Sequence, residues 1–489
     1  MHSEDTIAAI ATAQGESGIS IIRISGPDAI AVADRVCLDR NRKRRIKSFA
    51  PNTIHLGYAA DADGGILDEV LVSVFKAPSS YTAEDTVEIN THGGIYVTHR
   101  VLDAVLAAGC RLAEPGEFTK RAFLAGRIDL AEAEAVMDVI SSESEFARKA
   151  AVSALTGTLS GKVRDMRERI LYETAFIESA LDDPENYDLD GYPEKLKEKT
   201  LALISEMSGL LSRASDGAVL KEGIRTAIIG KPNAGKSSLL NALSGEDRAI
   251  VTEIAGTTRD TLEEKVRIGE CVLRLIDTAG IRKTEDVVEK IGVSRARSAA
   301  AEADLLLAVF DASKELAGED EEIASLVREA AARGKRAVAI LNKSDLPARI
   351  REEEITALIQ GVPEGCATEG DSEAVSPAVP PVSVPVLTLS LAEPFTGLEE
   401  LKSEILSLFG AGELMRSREA LLVNRRHAEA MAEARAALEQ VLAGIDSGVS
   451  EEFYAGDLMA AYAALGRIIG EQVDDDLAEE IFSRFCLGK

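Results

Sequence analysis

Gly230-Lys231-Pro232-Asn233-Ala234-Gly235-Lys236-Ser237 has the spacing G-x-x-x-x-G-K-[ST] of a phosphate-binding loop. The apolar run at 224–229 before it reads as a buried strand, and 238–243 after it reads as the first turns of a helix. That order gives the motif its chemistry. Backbone N–H groups in the loop and at the helix N-terminus lack intrahelical acceptors, so they point at an anion. Glycine at 230 and 235 lets the backbone approach phosphate without a Cβ clash. Lys236 offers a point charge to the outer phosphates, the Ser237 hydroxyl can ligate Mg²⁺, and Asn233, Ala234, Gly235 and Ser238 complete the wall.

Outward from the loop, residues 219–410 alternate between strand and helix. Strands are expected at 271–276, 305–310, 337–341 and 386–389, the arrangement of a doubly wound α/β sheet. The stretch 361–385, rich in Gly, Pro, Ser and Glu, reads as a flexible insertion. Residues 1–122 read as a separate α/β domain, with strands at 19–24, 70–75 and 87–90 and a helix at 28–36. The segments 123–218 and 411–489 are helical: Met166, Ile170, Thr174, Ile177 and Leu181 share one face, and Leu458, Tyr462, Leu465 and Ile469 share another. The two are expected to pack as one discontinuous helical domain, with the nucleotide domain inserted between them.

The chain of 489 residues is long enough for about three domains. An apolar content of 46% allows real cores, and no run approaches the ~20 apolar residues of a membrane span. Met1-His2-Ser3-Glu4-Asp5 lacks the basic start of a secretory signal, and the five cysteines (37, 110, 271, 366 and 486) form no C-x-x-C pair. The expectation is a cytoplasmic protein with reduced thiols and no membrane association. A net charge of −28 opposes a broad nucleic-acid groove, so contact with RNA requires a local basic patch or a partner. Arg40, Arg42, Lys43, Arg44, Arg45 and Lys47 are such a patch, or else a solvated loop.

Asn342-Lys343-Ser344-Asp345 resembles the N-K-x-D motif of GTPases, where the Asp carboxylate accepts guanine N1–H and N2–H, donors that adenine lacks. Asp277-Thr278-Ala279-Gly280 resembles the D-x-x-G loop: Asp277 would hold Mg²⁺ through water and the Gly280 N–H would sense the γ-phosphate. Gly256-Thr257-Thr258-Arg259-Asp260 resembles a switch segment in which Thr258 closes on Mg²⁺. Ser390-Leu391 stands where Ser-Ala is usual, a departure at the guanine O6 contact. Ras-like enzymes carry a Gln after D-x-x-G; here the residue is Ile281, whose side chain cannot orient water. Asn233 resembles the Asn of potassium-activated GTPases, in which K⁺ takes the place of an arginine finger.

With these motifs stand Ile21-Ile22-Arg23-Ile24-Ser25-Gly26, Gly116-Glu117-Phe118-Thr119-Lys120-Arg121-Ala122-Phe123 and Phe485-Cys486-Leu487-Gly488-Lys489. Together they resemble the MnmE (TrmE) family of bacterial tRNA-modification GTPases over essentially the whole length. The resemblance implies that Arg23, Glu88, Arg127 and Lys489 bind a tetrahydrofolate derivative, 5,10-methylene or 5-formyl. It implies that Thr252, Glu253, Ile254, Ala255, Gly256, Thr257 and Thr258 line the nucleotide, with Thr252, Ile254 and Thr257 joining Asn233 around K⁺. Glu289 would orient the hydrolytic water through a second water, beside Lys236 and Asn233 as catalytic groups. Cys486 is either an accessory thiol or a packing residue of the tail.

The implied activity is potassium-dependent GTP hydrolysis coupled to forming 5-carboxymethylaminomethyl or aminomethyl uridine at the wobble position of tRNA. The implied partners are a second copy of the chain, bound through the N-terminal domain, and the FAD-carrying flavoprotein MnmG (GidA), giving a heterotetramer that acts on tRNA. Two other readings compete. A ribosome-assembly GTPase would need an RNA-binding module with a G-x-x-G loop after the nucleotide domain, where this chain has helices and a Cys-Leu-Gly-Lys tail. A non-catalytic GTP-gated scaffold would bind GTP and recruit the flavoprotein without turnover.

Overall fold

The computed structural model describes residues 5–183, 185–186, 190–246, 264–276, 297–361, 384–392, 394–416, 420–471, 475–486 and 488–489. They divide into two compact units, one of residues up to 140 with 152–208 and 429–489, the other of 141–151 with 209–428.

The first unit holds a seven-stranded sheet: β1 (Ile7–Ile10), β2 (Ser17–Ser25), β3 (Cys37–Asp39), β4 (Thr53–Ala60), β5 (Ile66–Phe75), β6 (Thr86–Gly93) and β7 (Arg111–Leu112). Their spatial order is β3-β4-β5-β6-β2-β1-β7, antiparallel throughout except that β1 and β7 run parallel. Because strand side chains alternate, Ile22, Ile24, Val87 and Ile89 face the helices Ala29–Val36 and Ile95–Ala107, whereas Arg23 and Glu88 face the other way. Strand β6 runs on through Thr91-His92-Gly93, three residues past the strand expected at 87–90.

The same unit carries the helical part. The long helix Thr158–Asp182 packs on Glu451–Ile469, so segments from either side of the nucleotide domain do meet. Val163, Met166, Ile170 and Ile177 are buried on the first helix, and Leu458, Ala461, Leu465 and Ile468 on the second. Leu181, expected on that face, is 40% exposed at the last turn. Arg167 crosses this contact: its guanidinium lies 4.0 Å over the Tyr462 ring and pairs with Glu471.

The second unit is built on a sheet of β8 (Ile224–Gly230), β9 (Glu264–Ile268), β10 (Cys271–Leu275), β11 (Leu305–Asp311), β12 (Arg336–Asn342) and β13 (Val386–Thr388). The order is β13-β12-β11-β8-β10-β9; only the edge strand β9 runs antiparallel. Strands β8 and β11 read as near-continuous apolar runs because helices cover both faces of a parallel sheet. Strand β9 was not expected; it alternates charged and apolar residues and returns through Gly269-Glu270 as a hairpin. No helix among the described residues is long and apolar enough to cross a membrane.

Candidate functional site

The C-terminal ends of β8, β11 and β12 lie side by side, with Gly230 paired to Val309 and Asp311 to Asn342. This is the sheet edge where ligands bind in doubly wound folds. The phosphate loop leaves β8 there and enters the helix Lys236–Glu246. Gly235 adopts φ +110°, and a Cβ on it would sit 2.0 Å from Asn342 Nδ2. Only glycine lets the loop pass this close to the next motif. Asn233 takes a left-handed φ of 62°, which Asn tolerates better than most residues, and its side chain is exposed.

The loop is tied on both sides. Asn342 Nδ2 donates to the Ala234 carbonyl at 2.8 Å, which joins the N-K-x-D segment to the phosphate loop in one cradle. Ser390 Oγ donates to Asp345 Oδ1 at 2.8 Å, and Leu391 lies near Gly235. Lys343 Nζ reaches Asp311 Oδ2 at 2.6 Å. Burial would raise the Asp311 pKa, but hydrogen bonds from Lys343 and Ser313 bring it below its ordinary value. Lys236 Nζ donates to the carbonyls of Gly230 and Lys231 at 2.6 and 2.9 Å. Burial lowers its pKa, an effect that Glu319 partly offsets. A polyphosphate there would restore the favoured charge.

The remaining nucleotide-site expectations (Thr252, Glu253, Ile254, Ala255, Gly256, Thr257, Thr258, Asp277, Thr278, Ala279, Gly280 and Glu289, with Ile281) lie outside the described residues. Of the proposed Mg²⁺ and K⁺ ligands, Ser237 and Asn233 are described. Among the described residues no group of three or more His, Cys, Asp or Glu is placed to hold a metal.

On the outer face of the N-terminal sheet, Arg23 and Glu88 are direct cross-strand neighbours, and Arg23 Nε donates to Glu88 Oε1 at 2.9 Å. Arg23 Nη1 also donates to the Gly488 carbonyl at 3.2 Å, which fastens the C-terminal tail to this face. Gly488 has φ +91°, and a Cβ there would lie 2.4 Å from the Ile10 carbonyl, so the tail lies against the backbone of β1. Around Tyr81 the guanidinium carbons of Arg23 and Arg127 stand 5.0 and 4.8 Å from the ring centroid, and Lys489 Nζ stands 5.8 Å away. Burial, reinforced by Arg23, lowers the Lys489 pKa.

The structure thus brings Arg23, Arg127 and Lys489 of the expected folate set to one aromatic ring, with Glu88 bonded to Arg23 beside it. Three cations and one carboxylate suit a ligand with carboxylates at one end and hydrogen-bond donors at the other. Sequence reasoning missed Tyr81, whose hydroxyl lies 2.9 Å from Thr119 Oγ1, and a single Tyr in Ser79-Ser80-Tyr81-Thr82 gives no pattern to find. Cys486 is an exposed free thiol on the tail. The basic patch at 40–47 is largely exposed between β3 and β4.

Two family models match the chain: one described as MnmE helical domain over residues 130–486, the other as GTP-binding protein TrmE N-terminus over residues 6–127. Curated relatives match it end to end. The tRNA modification GTPase MnmE of Lachnoclostridium phytofermentans is 47% identical over 485 residues, covering 99% of each chain. That of Geobacillus kaustophilus is 44% identical over 491 residues, covering all of both. That of Enterococcus faecalis is 42% identical over 487 residues, covering 99% of this chain and 98% of its own.

Proposed function

Because the chain belongs to the MnmE family of tRNA-modification GTPases, we propose that it hydrolyses GTP to drive modification of a wobble uridine. The observation that carries this reading is the tie from Asn342 Nδ2 to the Ala234 carbonyl, which sets phosphate-binding and guanine-binding segments in one frame. Loop N–H groups cradle the phosphates, Lys236 turns from its two carbonyl acceptors to the outer phosphates, and Asp345, held by Ser390, receives the guanine edge.

Ser237, Thr258 and Asp277 are the proposed Mg²⁺ set, and the ion would neutralise charge on the phosphate oxygens. Asn233, Thr252, Ile254 and Thr257 are the proposed K⁺ set; the exposed Asn233 side chain could offer its amide oxygen as a ligand. Glu289 would hold the attacking water through a second water, since Ile281 offers no polar atom. Arg23, Arg127 and Lys489 would bind the carboxylates and carbonyl of a tetrahydrofolate, and Glu88 its pterin N–H groups; the folate would supply the bridging carbon. The redox step and most of the tRNA surface are assigned to a flavoprotein partner, a division that fits a net charge of −28. The protein is proposed to act as a homodimer within such an assembly in the cytoplasm.

The test joins turnover to product. Purified protein should hydrolyse GTP faster in K⁺ than in Na⁺, and Asn233→Ala should lose that difference. Cells lacking the protein should lose the aminomethyl-type wobble uridines by mass analysis, and wild type but not Asn233→Ala should restore them. Equal turnover in both cations would remove the potassium step, and unchanged uridines would remove the function.

A further inference from the structure

The crossover from the end of β11 into the helix Gly318–Ala332 carries two carboxylates that none of the nucleotide motifs includes. Asp320 lies in the first turn of that helix and is completely buried. Its Oδ2 accepts from Lys231 Nζ at 2.7 Å and from the Ala317 N–H at 2.9 Å. Lys231 is the second residue of the phosphate loop, and its side chain is 8% exposed. The other carboxylate, Asp311, is equally buried and holds Lys343 of the N-K-x-D segment, whose backbone has φ 68°.

A buried ion pair is a poor source of net stability, because desolvation offsets the attraction. Breaking it is costly, however, so it holds geometry. Here the geometry held is the entry of the phosphate loop. The same Lys231 presents its backbone carbonyl to Lys236 Nζ, so a shift of Lys231 moves the resting place of the phosphate-binding amine. Among the described residues, the hydrogen-bond partners of Asp320 are Lys231 and Ala317, neither of them a group expected to meet nucleotide.

We propose that Asp320 is a positioning residue for the phosphate loop, acting through Lys231, while Asp311 serves the guanine loop in the same way through Lys343. One crossover thereby holds both ends of the nucleotide cradle. This rests on the reading of the cradle as a GTP site. Lys231 is thereby a fixed post of the cradle instead of a mobile phosphate ligand.

Asp320→Asn keeps the shape and the acceptor for the Ala317 N–H but removes the charge partner of Lys231. The dissociation constant for fluorescent GDP should rise about tenfold, the size of a lost charge-assisted bond. The KM for GTP should rise by the same factor, with kcat at saturation within about threefold, since bound phosphates themselves draw Lys236 into place once the site is filled. Asp320→Glu should recover most of the affinity, which a purely structural lesion would not allow. Circular dichroism of each variant checks that it is folded. If Asp320→Asn does not fold, Lys231→Met combined with Asp320→Leu fills the site without charge and should show the same rise. A folded variant of either kind that binds GDP as tightly as wild type overturns the inference. Wild-type protein that binds GDP but turns over no GTP would sink the proposed function and leave this test intact; wild type that binds no guanine nucleotide would sink both.

Discussion

The proposed nucleotide cradle and the proposed folate pocket around Tyr81 both gather charged groups, and they are made by opposite means. In the cradle the groups that would meet phosphate are main-chain N–H groups and one amine, all within residues 230–237. Neighbouring segments then tie that loop down, as Asn342 and Asp320 do. In the pocket the groups are side chains from positions 23, 88, 127 and 489, and the bond from Arg23 to Gly488 spans 465 residues. The first is set by local chain geometry; the second exists only once the sheet, the turn after the helix Glu117–Leu124 and the tail have come together. The cradle should therefore fail at single points of charge. The pocket should fail by degrees, as each of several contributions is removed.

The sharpest way to break that contrast is Lys236→Ala. Removing the loop amine that would meet phosphate should lower GTP turnover roughly 100- to 1000-fold, the range for deleting a group that stabilises transition-state charge. Phosphate release measures it. Folate affinity of the same protein, measured by calorimetry, should stay within about twofold. A parallel collapse of folate binding would show that the two sites are not independent in the resting protein.

A smaller effect is expected at the pocket. Arg23→Gln removes a charge, its bond to Glu88 and its bond to the tail, and leaves Glu88 without that partner. Folate affinity should fall about 10- to 100-fold, as for loss of a charge-assisted contact plus its neighbour's desolvation. GTP turnover of the free protein should hardly change. A drop of only about twofold would mean that Arg127 and Lys489 carry the anion and that Arg23 chiefly serves the tail.

The same contrast explains what was legible in the chain. Strands β8, β11 and β12 were readable to within a residue or so at their ends because a parallel strand covered on both faces is apolar over most of its length. The phosphate loop was readable because its function is written in consecutive residues. Strand β9 was not, since Glu264-Lys265-Val266-Arg267-Ile268 carries charge at three of its five positions as an edge strand does. The helix Ile95–Ala107 also went unread, although Val101, Leu102 and Val105 mark its buried face. Residues 89 positions apart, such as Lys231 and Asp320, leave no local trace of their pairing. Arg23, Glu88, Arg127 and Lys489 could be named only through resemblance, because no spacing links them. Tyr81, the ring beside three of them, belongs to no motif.

The smallest effect expected is a pH dependence that the cradle and pocket should express differently. Burial lowers the pKa of Lys489 below the ordinary 10.5, and the nearby Arg23 lowers it further. As pH rises through that lowered value, Lys489 loses its charge while Arg23 and Arg127 keep theirs, so folate affinity should fall by a few-fold (about threefold) and then level off. Lys489→Arg should hold its affinity across the same range, because guanidinium stays protonated. For stability the sign is opposite. The unfolded chain binds this proton more tightly than the folded one, so the protonated lysine costs stability below its folded pKa. That cost is relieved as pH climbs from there to 10.5. Lys236 is depressed by burial in the same direction, but a bound polyphosphate supplies the countercharge it lacks. GTP binding at alkaline pH should therefore take up protons, seen as a buffer-dependent heat in calorimetry. In Lys489→Arg that uptake should persist, since its source is the amine of the phosphate loop.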